Sequence, residues 1–312
     1  MSKILTAFAC VAFIVMAFIN PPAFIENARN GLTLFAVNVL PILFPFFFIT
    51  GLLVELDLFK HKKLQPIGIV AMSFLAGSPT SARIISQLYM RGDITRERAI
   101  RTATYTSTTS PIFIIATLGA ALYGDIRLGI IIFTAHILGA IANGLVYGLI
   151  VKTPTEKPPP SSIKNSPSLR TPLRENLAPL RSVEGVARQS RDGVVINVSD
   201  AVSKSLSSSI QNIFAVGGLI VIFFIVSASL PLPFTAFLEM TTGVFRAEAV
   251  TEGMWRAVVA TAIVSFGGLC VAMQSFVFFR TFRMPVRFYF MYKVTHTLFA
   301  VLFVTLIMLM VG

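Results

Sequence analysis

Arg83 is a charged side chain within a long apolar stretch of the sequence, four residues after the last residue of the motif Gly77-Ser78-Pro79. If this stretch crosses a membrane, an unpaired arginine there costs at least about 3 kcal/mol, so it needs a partner. Its guanidinium can bind a carboxylate of an anionic solute through two parallel hydrogen bonds. The alternatives are a structural ion pair, with Glu55 or Glu239, or a side chain that extends to the aqueous interface.

A run of four hydroxyl side chains, Ser107, Thr108, Thr109 and Ser110, directly precedes Pro111. Because proline interrupts a helix, freed backbone carbonyls join these hydroxyls at one place and can bind a solute or a cation. The alternative is that the hydroxyls donate to the preceding turn or to a neighbouring helix. The run therefore predicts an unwound binding segment, with helix packing as its alternative.

The second half of the chain has its own polar interruptions of apolar sequence. Glu239, Thr241 and Thr242 come just before Gly243, where the chain can break, and the carboxylate can bind a cation or neutralise Arg83. Gln274 offers an amide that faces either a site or another helix.

The candidate residues in the last apolar stretch are Thr295 and His296, which follow Lys293. A histidine near an anion site can couple transport to protons, although a single histidine is more often a packing residue, which is how we interpret His136. The full set of candidate solute-binding residues is Ser78, Thr80, Ser81, Arg83, Ser107, Thr108, Thr109, Ser110, Glu239, Thr241, Thr242, Gly267, Gly268, Gln274, Thr295 and His296.

The composition shows which class of protein must position these residues. Of 312 residues, 55% are hydrophobic and 13% are charged, and the mean hydropathy is +0.78. A soluble core of this length cannot hide so much apolar surface, so the chain is predicted to be an all-α polytopic membrane protein. The sequence has no glycine-rich phosphate loop and no metal-ligand spacing of His or Cys. We therefore expect no enzyme, no catalytic residues, no metal site and no resident cofactor.

Apolar runs long enough to cross a bilayer predict six membrane-spanning helices. They are residues 4–20, 32–56, 101–123, 128–151, 209–230 and 287–311. Two further apolar runs, 66–90 and 255–280, are interrupted by Ala76-Gly77-Ser78-Pro79-Thr80 and by Ser265-Phe266-Gly267-Gly268. Each of the two predicts a re-entrant helical hairpin, with a kinked spanning helix as the alternative.

The order of these features suggests an internal repeat. Each predicted hairpin is followed by a short polar elbow and by a helix that is polar partway along, and the two copies lie about 190 residues apart. This pattern is typical of secondary transporters. The predicted domains are an N-terminal helix and loop at 1–30, a first repeat at 31–151, and a second repeat at 205–312, each repeat with a re-entrant hairpin and a broken transmembrane helix.

Residues 152–204 separate the two repeats and carry seven prolines, nine basic and five acidic side chains. This composition predicts a flexible polar linker. Basic residues concentrate here and in short polar gaps such as 60–63, which indicates a membrane topology rather than nucleic-acid binding. The linker and the N-terminus are predicted to face the cytoplasm, at a bacterial cytoplasmic membrane. We expect the second repeat to be inverted, which places its hairpin on the outer side, but the basic residues that follow this hairpin favour the cytoplasm, so its orientation stays open.

Five motifs in a fixed order give the chain a family resemblance across residues 31–311. They are Asn38-Val39-Leu40-Pro41-Ile42-Leu43-Phe44-Pro45-Phe46, Gly77-Ser78-Pro79-Thr80-Ser81-Ala82-Arg83, Ser110-Pro111-Ile112-Phe113-Ile114, Leu238-Glu239-Met240-Thr241-Thr242-Gly243 and Ser265-Phe266-Gly267-Gly268-Leu269. The chain resembles the YlbJ-type sporulation integral membrane proteins and their relatives with a nucleoside-recognition, or Gate, domain.

This resemblance implies a likeness to concentrative nucleoside transporters, in which hairpin tips and broken helices enclose the substrate. It also implies dipicolinic acid as a solute, since a YlbJ-type protein is implicated in moving it into the developing spore, and it makes a homo-oligomer plausible. A coupling ion, Na⁺ or H⁺, stays open.

The leading hypothesis is a transporter or facilitator of a small solute, either anionic and similar to dipicolinate or nucleoside-like, bound at the membrane midplane. The cations near the proposed site favour the anion. The alternative is a non-transporting membrane scaffold that recruits soluble partners or anionic lipid headgroups through residues 152–204. An enzyme that acts on a lipid is a distant third, because no nucleophile and base are recognisable together.

Overall fold

The computed structural model describes residues 2–56, 65–151, 198–228 and 230–311, and it confirms the predicted all-α class, since these residues contain helices and no strand. The basic stretch at 60–63 and the predicted linker at 152–197 lie outside the described residues. The remaining linker residues, 198–204, are helical, so the helix after the linker starts before the residues predicted to span the membrane.

The first half of the chain forms seven α-helices and two π-helical segments in its described part. The α-helices are α1 (Ser2–Ile19), α2 (Pro21–Thr33), α3 (Leu40–Glu55), α4 (Gln65–Ala76), α5 (Thr80–Met90), α6 (Arg96–Thr106) and α7 (Ile126–Ile150). The π-helical segments are Leu34–Val39, between α2 and α3, and Ile112–Leu122, between α6 and α7.

The second half forms six α-helices in its described part. They are α8 (Val198–Ala228), α9 (Leu232–Leu238), α10 (Met240–Glu248), α11 (Gly253–Phe266), α12 (Gly268–Phe279) and α13 (Val286–Val311).

Several helix starts follow directly from the sequence. The Thr95 side chain accepts a hydrogen bond from the backbone N–H of Arg98 and caps α6, and Asp125 caps α7 in the same way. Pro285 directly precedes α13, where its fixed φ and missing N–H are tolerated. The two elbows predicted to launch new helices therefore do so.

The two interruptions in the first half pack against each other. The backbone N–H of Ser78, between α4 and α5, donates to the carbonyl of Thr108 over 2.7 Å. Gly77 has φ +70°, and a Cβ there would lie 2.8 Å from the backbone nitrogen of Ser110. The predicted break at 77–79 and the predicted unwound segment before Pro111 are therefore one structural unit.

Helices α9 and α10 form a helical hairpin with Glu239 at its tip. Gly243 packs on Ala236, since a Cβ at Gly243 would lie 2.5 Å from the Ala236 Cα. Further from the tip, Arg246 donates to the Thr235 hydroxyl over 2.9 Å and to the Leu230 carbonyl. Residues later in α10 thus contact residues earlier in α9 and before it, so the two helices run antiparallel.

The structure does not confirm the hairpin predicted at 255–280. These residues belong to Gly253–Phe282, 30 residues that are together long and apolar enough to cross a membrane. Gly267 and Gly268 interrupt this stretch with φ values of +83° and +72°, which L side chains rarely adopt. The glycine pair is therefore a break within a candidate span, which was the alternative to a hairpin.

The described residues show one order of elements in each half. A pair of short helices around a break, α4/α5 or α9/α10, precedes a second interrupted stretch, which is α6 with Ile112–Leu122 or α11/α12. A long helix of 25 residues (α7) or 26 residues (α13) follows. The broken transmembrane helix predicted for the second repeat is not seen at 287–311, where α13 is continuous, and a break lies at Gly267-Gly268 instead.

By length and composition, the described residues give four candidate membrane spans. They are Ile126–Ile150, Val198–Ala228, Gly253–Phe282 and Val286–Val311, and the bent pair Pro21–Val39 and Leu43–Glu55 adds a fifth. Large apolar side chains such as Leu149 and Met310 are more than 80% exposed, which suits lipid contact. The protein is therefore an integral membrane protein with several apolar helices.

Candidate functional site

The interruptions of both halves meet at one cavity of about 130 Å³. Its walls come from the tips of α4/α5 and α9/α10, from the two interrupted stretches, and from Leu34–Val39, α3 and α8. The polar side chains of the wall are Asn38, Ser78, Thr109, Ser110, Thr117, Glu239, Thr241, Cys270 and Gln274. Six of the residues predicted from sequence therefore lie together here: Ser78, Thr109, Ser110, Glu239, Thr241 and Gln274.

Glu239 is the one charged side chain among the described residues that line this cavity. It is 4% exposed and caps the start of α10. Its Oε1 accepts from the Thr241 N–H over 3.0 Å, and its Oε2 accepts from the N–H and the hydroxyl of Thr242 over 2.6 and 2.7 Å. A carboxylate has about four lone-pair sites, so Oε1 keeps one acceptor position for a solute.

Ser78 lines the cavity. Its hydroxyl is buried and has no hydrogen-bond partner among the described residues. An unpaired buried polar group is costly, so this hydroxyl is a natural partner for a bound polar molecule. Thr80 and Ser81 lie behind it in the first turn of α5, where their hydroxyls are also buried without a described partner.

Arg83 does not line the cavity. It is 1% exposed, and its guanidinium donates to the carbonyl of Phe47 on α3 and, over 2.7 Å, to the hydroxyl of Ser208 on α8. The guanidinium carbon also lies 5.0 Å from the centre of the Phe47 ring. These contacts join α5 to two other helices, but their acceptors are a carbonyl and a hydroxyl rather than the carboxylates of Glu55 or Glu239 expected for a structural ion pair. Solute binding by Arg83 stays a prediction.

His136 connects the interruptions of the two halves. Its Nε2 accepts from the backbone N–H of Thr109 over 2.9 Å, and its Nδ1 lies 2.8 Å from the hydroxyl of Ser265, near the break in the second half. Because a backbone N–H can only donate, Nε2 is the acceptor, and a neutral His136 donates from Nδ1. The sequence predicted only a packing role for His136. In the structure its ring also connects two segments that lie 27 and 129 positions away along the chain.

Three other predicted residues lie in the contact between α7, α13 and the interruptions. The His296 ring nitrogen lies 3.0 Å from the His136 carbonyl, and Thr295 donates to the Asn143 amide oxygen over 2.7 Å. The Lys293 ammonium donates a hydrogen bond to the backbone carbonyl of Ser107 over 3.1 Å. Neither Thr295 nor His296 lines the cavity, so the packing alternative describes their contacts.

Four further predicted residues lie beside the cavity rather than in its wall. The Thr108 hydroxyl donates to the carbonyl of Ser73, and Thr242 helps to hold Glu239. Gly268 packs on the hairpin tip, since a Cβ there would lie 3.1 Å from the Leu238 carbonyl oxygen. Gly267 precedes it with the positive φ that makes the break.

Replacing His136 with leucine should destabilise the protein strongly. The change leaves the Thr109 N–H and the Ser265 hydroxyl buried without their partner, at about 1–3 kcal/mol for each group. We expect a clear fall in the thermal unfolding temperature of the purified protein in detergent. Thr134→Val on the exposed face of the same helix is the control and should unfold near the wild-type temperature. Equal unfolding temperatures for His136→Leu and the control would contradict the connecting role.

Comparison with known proteins agrees with the predicted resemblance. No protein-family model matches the chain, and no solved structure is significantly similar to it. The chain is 26% identical over 224 residues to the sporulation integral membrane protein YlbJ of Bacillus subtilis, a match that covers 65% of this chain and 51% of that protein. The chain thus spans about half the length of the curated relative. The match confirms the expected resemblance to YlbJ-type sporulation integral membrane proteins, to which this chain is similar.

Proposed function

We propose that this protein is a membrane transporter that binds a small polar solute in the cavity between its two pairs of interrupted helices. The observation that carries the proposal is the composition of the cavity wall. Ser78 at one tip, Glu239 at the other, and Ser110 and Gln274 on the two interrupted stretches all line it. Solute sites in secondary transporters typically lie between such interrupted helices.

The two halves of the chain are structural repeats in this proposal. The hairpins are α4/α5 and α9/α10, which enter the membrane without crossing it, and the broken helices are α6 with Ile112–Leu122 and α11/α12. Support comes from the shared order of elements and from the polar tips, which are buried in protein as irregular backbone in a membrane must be. The N-terminus and residues 152–204 stay on the cytoplasmic side of a bacterial cytoplasmic membrane, because basic residues concentrate there.

The wall chemistry favours the nucleoside-like alternative over the anionic one. Hydroxyls, an amide and one carboxylate can satisfy a solute that has several hydrogen-bond donors and acceptors. The carboxylate of Glu239 repels an anion in a site of low dielectric constant. Arg83, the cation on which the anionic hypothesis depended, bonds to α3 and α8 instead. We therefore infer an uncharged polar solute such as a nucleoside.

Uptake by the purified full chain in liposomes tests this function. We expect saturable uptake of radiolabelled uridine above that of protein-free liposomes, and weaker or no uptake of dipicolinate. Uptake of dipicolinate alone would contradict the inferred solute class. A protein without flux of either compound, whose cellular role is lost on deleting residues 158–192, would instead be the membrane scaffold.

Cys270 provides an independent test of where the solute binds. It lines the cavity and is 1% exposed, whereas Cys10 is exposed on α1. We expect a small thiol reagent to modify Cys270 slowly, and uridine to slow this reaction further by filling the cavity. Cys10 in the same molecule is the internal control, and its rate should not respond to uridine. Equal rates at Cys270 with and without saturating uridine would place the solute elsewhere.

A further inference from the structure

A second and larger hollow lies between α4, α6 and α7, apart from the central cavity. Its volume is about 530 Å³. We call it the lateral groove, and its lining residues are Val70, Phe74, Arg98, Arg101, Thr102, Tyr105, Ile141, Gly144 and Leu145. None of these residues lines the central cavity, so the groove is independent of the proposed function.

Two arginines give the lateral groove a strong positive charge. Arg98 and Arg101 lie three positions apart on α6 and therefore share one face of that helix. Neither guanidinium has a hydrogen bond or an ion pair with any residue in the described ranges. Arg101 reaches across to Gly148, close to the last residue of α7, since a Cβ at Gly148 would lie 2.7 Å from its Nη2. The charge is thus at the end of the groove near the helix termini.

The rest of the lateral groove is apolar and faces the lipid side of the protein. Val70 and Phe74 on α4 form one wall. Ile141 and Leu145, 46% and 69% exposed, form the other wall on α7, which is a candidate membrane span. A free inorganic anion gains nothing from these walls, whereas an acyl chain buries apolar surface along them.

We propose that the lateral groove binds one phospholipid with an anionic headgroup. The phosphate lies between Arg98 and Arg101, near the hydroxyls of Thr102 and Tyr105, and an acyl chain lies between Phe74 and Leu145. Basic pockets between transmembrane helices on the cytoplasmic side are suited to anionic lipid headgroups. The α6 end of the groove is on that side, because three arginines lie in the first two turns of α6 and the basic sequence 152–204 follows α7 in the chain.

Native mass spectrometry of the purified full chain tests the lipid site. The protein is released from micelles that contain equal amounts of phosphatidylglycerol and phosphatidylcholine, and retained lipids are counted. We expect wild type to keep phosphatidylglycerol preferentially. The double variant Arg98→Gln/Arg101→Gln should lose this preference by on the order of tenfold, since each arginine near a membrane surface contributes to anionic lipid attraction.

Two further variants separate groove binding from general surface charge. Arg280→Gln/Arg287→Gln removes the same charge from exposed positions around the start of α13 and should keep the preference. Leu145→Trp keeps both groove arginines but fills the apolar part, and it should lower lipid retention. Thermal unfolding of each variant verifies folding.

Three results would overturn the proposal. The first is equal retention of phosphatidylglycerol by wild type and by a folded Arg98→Gln/Arg101→Gln variant. The second is an equal loss in the Arg280→Gln/Arg287→Gln control, which would indicate unspecific attraction. The third is full displacement of the lipid by millimolar inorganic phosphate, which would make the groove a site for the free anion.

Discussion

Replacing Glu239 with glutamine is expected to lower solute uptake by about tenfold or more while the hairpin stays folded. Glu239 carries the one charge among the described cavity-lining residues, and Oε1 has an acceptor position left for the solute. A hydrogen bond to a charged group contributes about 1.5–3 kcal/mol, so its loss corresponds to a tenfold to hundredfold effect. The glutamine oxygen can keep one of the capping bonds, which limits the loss of stability to about 1 kcal/mol. The measurement is the initial rate of uridine uptake in liposomes.

Glu248→Gln is the matched control for this experiment. Glu248 ends the same hairpin arm and pairs with Arg256 at 3.5 Å, but it does not line the cavity. Both variants remove one carboxylate from α9/α10, so only the position differs. We expect near wild-type uptake for Glu248→Gln. Similar rates for the two variants would show that the Glu239 carboxylate does not contact the solute.

Hydropathy and capping residues made most of the helices predictable. Long apolar runs yielded α7, α8 and α13, and Thr95 marked the start of α6 as expected. The pair of short helices at 232–248 was not predicted, for a physical reason. Helices α9 and α10 have only seven and nine residues, with Glu239 between them and Arg246 within α10, so no long apolar run marks them. The glycine pair at 267–268 gave the stronger signal, although it only breaks a candidate span.

The candidate site was predictable where polar residues coincide with helix breaks. Ser78, Ser110 and Glu239 were found in this way, because a break in a membrane helix exposes backbone groups that need polar partners. The direction of a side chain within a helix was not predictable from one sequence. Arg83 and His296 were therefore assigned to the site, although their bonds go to neighbouring helices. His136 was missed because its connecting role depends on residues far away along the chain.

Gly77→Ala is expected to be the most destabilising glycine substitution at the site, by about 3 kcal/mol or more. Its φ of +70° costs an L residue about 1–2 kcal/mol. The new Cβ would also lie 2.8 Å from the Ser110 nitrogen and 3.0 Å from the Thr108 oxygen. These are backbone atoms that cannot rotate away, so the packing of the two interruptions must open. Unfolding equilibria in mixed micelles measure the change.

Substitutions at two control glycines separate the conformational cost of Gly77→Ala from its steric cost. Gly124→Ala has a similar φ of +64° but open space around the new Cβ, so it should show only the conformational cost. Gly218→Ala lies within α8 in open space without a positive φ, and it should be neutral or stabilise by up to about 1 kcal/mol. The difference between Gly77→Ala and Gly124→Ala then measures how tightly the interruptions at 77–79 and 107–110 hold together. Equal losses for these two variants would mean that the contact between the interruptions contributes nothing to stability, and the cavity would lack the rigid wall that solute recognition requires.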